Sequence, residues 1–86
     1  MPEIEDFPVV AVYWLDPTTY EGEFTAAEAA ELTLTCYKTV GVLVQEDESQ
    51  VIVAQDVCVD LDGEPSYRGV TTLLTDLVME IERLSA

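Results

Sequence analysis

The chain has 86 residues, 18 of them Asp or Glu against 3 Lys or Arg and no His, for a formal net charge of −15. That length holds one domain, residues 1–86, able to bury only about 60–65% of its unfolded surface. A hydrophobic content of 49% is that of a folded chain rather than an acidic tail. The charge argues against direct nucleic-acid or anionic-lipid binding, and the lack of His removes the usual general base near neutral pH.

The N-terminal stretch Met1 to Asp6 has neither a basic region nor an apolar run, and two cysteines are too few for a disulfide scaffold, so an intracellular, cytoplasmic location is expected. Phe7 to Leu15 is rich in β-branched and aromatic residues and reads as a first strand, ended by Asp16-Pro17. After a polar loop, Thr18 to Glu23, the run Thr25-Ala26-Ala27-Glu28 has the form of a capping box, predicting a short helix over Ala26 to Leu32 that must pack on a sheet to persist.

Leu34 to Val44 and Val51 to Val59 are two further β-rich runs, separated by Gln45 to Gln50, and read as a hairpin. Pairing Val44 with Val51 places Val40, Val42, Val44, Val51 and Val53 on one face and sets Leu43 against Ile52 on the other. Both faces are then apolar near the turn. One sheet with one helix cannot cover both, which predicts a closing barrel or burial against another subunit. Gly41 marks a bend or bulge, and Asp60 to Pro65 is a loop by its turn chemistry.

Tyr67 to Leu84 supports two readings. Leu73, Leu74, Leu77, Val78, Ile81 and Leu84 fall on one face of a helix. The other reading is two short strands, about Arg68 to Leu74 and Val78 to Leu84, turning at Thr75-Asp76.

Three segments together, Trp14-Leu15-Asp16 in the first strand, VGVLVQED over Val40 to Asp47, and LLTDLVMEIERL over Leu73 to Leu84, resemble small uncharacterised phage and prophage accessory proteins. Those proteins typically pair an early tryptophan and aspartate with a VGxLxxED hairpin and an ending like I-P-K-x-x-I-x-x-I-x-x-L. The I-P step of such endings resembles the tight turn between the last two strands of Sm-like and SH3-like barrels. This chain has Leu74 and Thr75-Asp76 there instead. The resemblance implies an accessory protein aimed at host machinery, in the host cytoplasm, and no established activity.

The expected fold is therefore α+β or mainly β: a small bent antiparallel sheet or SH3/Sm-like barrel with one short helix. The alternative is a C-terminal helix packed on a three-stranded sheet.

No catalytic residue is assigned, since Ser49, Ser66 and Ser85 lack an activating partner and paired carboxylates are unavoidable at this acid content. Asp56, Asp60, Asp62 and Glu64 fall in one stretch, but with Gly63 as the sixth position of a calcium loop, Cys58 stands first and Gly69 twelfth, where carboxylates are required. No metal and no cofactor is expected. In the hairpin register above, Cys36 and Cys58 point to opposite faces and read as buried structural thiols.

Trp14, Tyr67 and Arg68 are the candidates for a small-ligand site, such as one for a nucleotide signal in an oligomeric sequestering module. The carboxylates are the stronger candidate. A rigid domain carrying them in rows can occupy a groove built for phosphates, where Lys and Arg do not distinguish the two by charge. The expected function is a non-enzymatic inhibitor of a host defence or nucleic-acid-processing protein by DNA mimicry. Glu21, Glu23, Glu46, Asp47, Glu48, Asp60, Asp62 and Glu64 are its partner-binding residues, at loop and turn positions without packing duties. The alternatives are the ligand-binding oligomer and a structural phage component.

Overall fold

The computed structural model describes residues 7–59 and 64–84. Five strands follow one another as β1 (Val9–Asp16), β2 (Thr35–Glu46), β3 (Gln50–Cys58), β4 (Ser66–Leu74) and β5 (Val78–Arg83). A short helix α1 (Ala26–Ala29) lies between β1 and β2, and a 3₁₀ turn, Thr75–Leu77, joins β4 to β5. The strands form one antiparallel sheet in the spatial order β4-β3-β2-β1-β5. The fold is thus the small, mainly β, bent antiparallel sheet expected from the sequence, left open rather than closed as a barrel, with β4 and β5 as its two edges.

The C-terminal segment resolves as strands, and the alternative helix does not form. Its helical spacing has a specific cause. Val78 and Ile81 are three apart, yet both lie on the core side because the pairing with β1 slips by one residue between Tyr13 and Trp14, setting Val78 opposite Trp14 and Ile81 opposite Val12. The β-branched run Val70-Thr71-Thr72 then favours the extended state for β4.

The core is small: its larger side chains lie on one face, and the small Ala11 and Ala54 are buried on the other. Val10, Val12, Val51, Val53 and Leu73 are buried together, with Trp14, Leu43, Val78 and Ile81 packed around them. The register puts Leu43 against Val53 and Val51 against Leu73, so alternation alone sends these side chains to the same side. Contact between β1 and the β3–β4 pair across β2 requires the sheet to bend sharply. Each buried valine or leucine contributes about 1.5–3 kcal/mol by leaving water.

The hairpin register differs from the one expected. Val42 pairs with Ala54, Leu43 with Val53, Gln45 with Ile52 and Glu46 with Val51, with Val44 the extra residue of a bulge. The turn is tighter than a six-residue loop. Asp47 N–H donates to the Gln50 carbonyl at 3.0 Å, closing the hairpin over two residues and fixing the register from the turn outward. Val51 and Val53 therefore join the core, while Val40 on the opposite face is left 51% exposed.

Gly41 stands where β2 passes close to β3: a Cβ there would lie 2.5 Å from the Ala54 carbonyl oxygen. The bulge itself falls between Leu43 and Gln45. Below this point β2 continues to pair with β1 over Thr35–Gly41, whereas β3 beyond Ala54 pairs with β4. The two halves of the sheet diverge from the crossing. They give a body of 60 × 22 × 19 Å with a radius of gyration of 17.1 Å, against about 12 Å for a compact domain of this length.

Two local expectations need correction. The capping box at Thr25 and Glu28 is present, but α1 has a single turn of four residues and buries none of them. Loop hydrogen bonds hold it instead of sheet packing: Tyr20 Oη donates to the Thr33 carbonyl at 2.7 Å, and the hydroxyls of Thr18 and Thr35 meet at 2.9 Å. The cysteines are exposed rather than buried and form no disulfide, because both lie on the diverging halves of the sheet outside the core.

Candidate interaction surface

The carboxylates proposed to meet a partner occupy separate corners. Glu21 and Glu23 are exposed in the loop after β1, on either side of Gly22, whose φ of +110 is open to glycine but strained for other residues. Glu46, Asp47 and Glu48 are exposed at the β2–β3 turn, and Glu64 is exposed just before β4. Asp60 and Asp62 lie outside the described residues. Because β2 has 12 residues, its two ends, and with them the first two groups, are about 36 Å apart at strand rise. The arrangement is a dispersed display along the body, not one cluster.

Asp47 differs from its neighbours. Its Oδ1 accepts from Ser49 N–H at 2.8 Å, Gln50 N–H at 2.9 Å and Ser49 Oγ at 2.9 Å, while Oδ2 accepts from Gln45 Nε2 at 2.6 Å. The backbone N–H of Gln50, then that of Ser49, the Ser49 hydroxyl and the Gln45 amide hold its carboxyl well below the usual carboxylate range. Its oxygens serve the turn, so Glu46 and Glu48 are the groups there with side chains turned to solvent. Glu28 is similarly lowered, chiefly by the Thr25 backbone N–H and then by its hydroxyl, within the capping box.

Two of the three cations are engaged. Arg68 forms a 3.0 Å ion pair with Asp56 across β3 and β4, both well exposed. Lys38 Nζ sits 5.6 Å from the centroid of the Tyr13 ring, a cation–π distance, and Tyr13 Oη donates to Glu82 at 3.2 Å. Exposed pairs of this kind contribute little to stability, about 0–1 kcal/mol. Their effect is to leave the remaining acidic surface almost unopposed.

Trp14, Tyr67 and Arg68, the alternative ligand-binding set, are not brought together. Trp14 lies on β1, half-buried, stacked on Tyr37 at 5.3 Å between centroids and donating its indole N–H to Thr39 Oγ1 at 2.8 Å. Tyr67 and Arg68 lie on β4, separated from β1 by the two strands β2 and β3. Among the described residues no pocket forms, and no cluster of three or more His, Cys, Asp or Glu is placed to hold a metal. Cys36 Sγ approaches Met79 Sδ at 3.8 Å.

One surface was not singled out from the sequence. On the face opposite the core, the pairings Val9–Val42, Val42–Ala54 and Ala54–Val70 line up an apolar row across β1, β2, β3 and β4. It ends at the β4 edge, where Val70 is 52% and Leu74 64% exposed. The signal in the sequence was the apolar character of both faces of the hairpin. Its location became visible only with the correct register.

The chain has no significant match to a family model, a curated protein or a solved structure. No helix among the described residues is long and apolar enough to cross a membrane.

Proposed function

We propose that this chain is a non-enzymatic acidic binding protein that occupies a basic groove of a host defence or nucleic-acid-processing protein, its carboxylates standing in for backbone phosphates. The observation that carries this reading is the distribution of charge along an elongated ordered body. Of the 18 acidic residues, five lie in 1–6 and 60–63, so the described residues carry 13 acids against 3 bases, a net −10. Spread over 60 Å, that is one net charge per 6 Å, against about 3.4 Å along one DNA strand and about 1.7 Å along a duplex. The cross-section of 22 × 19 Å is on the scale of a nucleic-acid duplex rather than of a flexible tail. No described polar side-chain atom is buried without a partner, so the acids load the surface without straining the core.

The test is capture from lysate with the full chain as bait. A nucleic-acid-processing protein should be retained at low ionic strength, released as salt rises, and displaced by duplex DNA. Replacing Glu21, Glu23, Glu46 and Glu48 together with Gln should weaken retention while leaving the fold intact. Partners that ignore both salt and DNA would overturn the reading.

A further inference from the structure

We infer that the β4 edge is a self-association surface, pairing with β4 of a second copy of this chain to give a two-fold dimer. The two edges of the sheet differ in chemistry. β5 carries Glu80, Glu82 and Arg83 within its six residues, and charge is how natural sheets discourage edge pairing. β4 has no carboxylate at all. Beyond Gly69, whose φ of +65 breaks the regular strand, the run Val70-Thr71-Thr72-Leu73-Leu74 is uncharged and rich in β-branched residues. On a chain of net charge −15, two copies can lay this edge side by side without setting carboxylate against carboxylate. A β5 edge in the same place would oppose its own Glu80 and Glu82.

The geometry is self-complementary. An antiparallel pair centred on Thr72 sets Val70 of each copy against Leu74 of the other, because residues equidistant from the centre lie opposite one another. Both belong to the outer face by the alternation of β4, and they are exposed by 52% and 64%. Pairing them covers both and joins the outer apolar rows of the two copies into one. An isologous contact of this kind closes at two subunits.

A second copy also fits the limits set by charge, since the contact is uncharged and the carboxylates can stay on the outside.

The experiment is sedimentation velocity on the full chain as ionic strength is raised from about 0.01 M to 1 M, which shortens the Debye length from about 30 Å to 3 Å. The expected result is a species of twice 9.5 kDa whose fraction grows with salt, as repulsion between the two acidic bodies is screened. Thr72→Glu, at an exposed site, places two carboxylates face to face at the two-fold and should weaken association by at least about tenfold. Met79→Glu on the other edge should leave it unchanged, and far-ultraviolet circular dichroism verifies that both variants fold. A monomer at every salt concentration, a dimer unaffected by Thr72→Glu, loss of the dimer in Met79→Glu, or assembly beyond two copies would each overturn the inference. Because the host-partner reading predicts release by salt, the two can fail independently.

Discussion

Replacing Gly41 with Ala isolates the crossing point of the sheet. In an ordinary strand the change is favourable, by about 0.5–1 kcal/mol, because alanine loses less backbone freedom on folding. Gly41 does not have a positive φ, so no conformational strain opposes it. The obstacle is steric. The added Cβ would lie 2.5 Å from the Ala54 carbonyl oxygen and 3.3 Å from its carbonyl carbon, and these are backbone atoms held by the pairings of Ala54 with Val42 and Val70. They cannot rotate away as a side chain would. Forcing one extra carbon into a packed site costs about 1–3 kcal/mol, so after the gain of about 0.5–1 kcal/mol the net expectation is a loss of up to about 2.5 kcal/mol. Trp14, the one tryptophan, stacks on Tyr37 and reports unfolding by fluorescence. With a urea m-value near 1 kcal/mol/M for a small domain, the midpoint should fall, by up to about 2.5 M. Ala54→Gly should not relieve the clash, since the offending atom is a carbonyl oxygen, and the double variant should show coupling within about 0.5 kcal/mol of zero. A stabilised Gly41→Ala protein would refute the reasoning and mean that β2 and β3 do not approach this closely.

Asp47→Asn should leave the turn formed at neutral pH, because an amide oxygen can still accept from the Ser49 and Gln50 N–H groups, but should flatten the acid limb of stability. The folded Asp47 pKa lies below its ordinary 3.8, so its contribution is fully present above that value and is lost as pH falls through the range below it. Urea midpoints measured from pH 5 down to about 2 should converge for the two proteins, and parallel curves would contradict the role given to Asp47. Cys36 and Cys58 are exposed, and alkylation followed by intact mass should modify both in the native protein without denaturant. Protection of either until unfolding would place it in the core instead.

Much of the fold could be read from residue type and spacing. β1, the β2–β3 hairpin and the capping box at Thr25 and Glu28 follow from β-branched runs and a local hydrogen-bonding pattern, which need no distant partner. The register was not legible, because Val40, Val42, Val44 and Leu43 offer two apolar faces and hydrophobicity alone accepts either. What decides it is Asp47, whose carboxylate gathers the N–H groups of Ser49 and Gln50 and shortens the loop to a two-residue turn. The ending was ambiguous for a related reason: a bulge at Tyr13 and Trp14 lets a strand carry apolar residues three apart, which is also helical spacing. The dispersed carboxylates were legible as charge but not as geometry, since their separation depends on how far the two halves of the sheet diverge below Gly41.

Charge and the open sheet make opposite demands on the solvent. A net −15 repels every other copy of the chain and attracts a basic groove, and both forces weaken as salt is added. The apolar row and the uncharged Val70–Leu74 run of the β4 edge favour burial, which salt does not weaken and which excluded anions such as sulfate strengthen. Ionic strength therefore shifts the chain between two kinds of contact: low salt favours the basic partner, and high salt favours the second copy. The β4 edge itself carries no carboxylate, and although the turn bearing Glu46 and Glu48 is hydrogen-bonded to Thr75 at the end of β4, the dimer would still present acids along its outer surfaces. A variant that abolishes pairing at Thr72 should then keep its salt-sensitive capture of a basic protein, and one stripped of the carboxylates of Glu21, Glu23, Glu46 and Glu48 should dimerise at lower salt than the native chain.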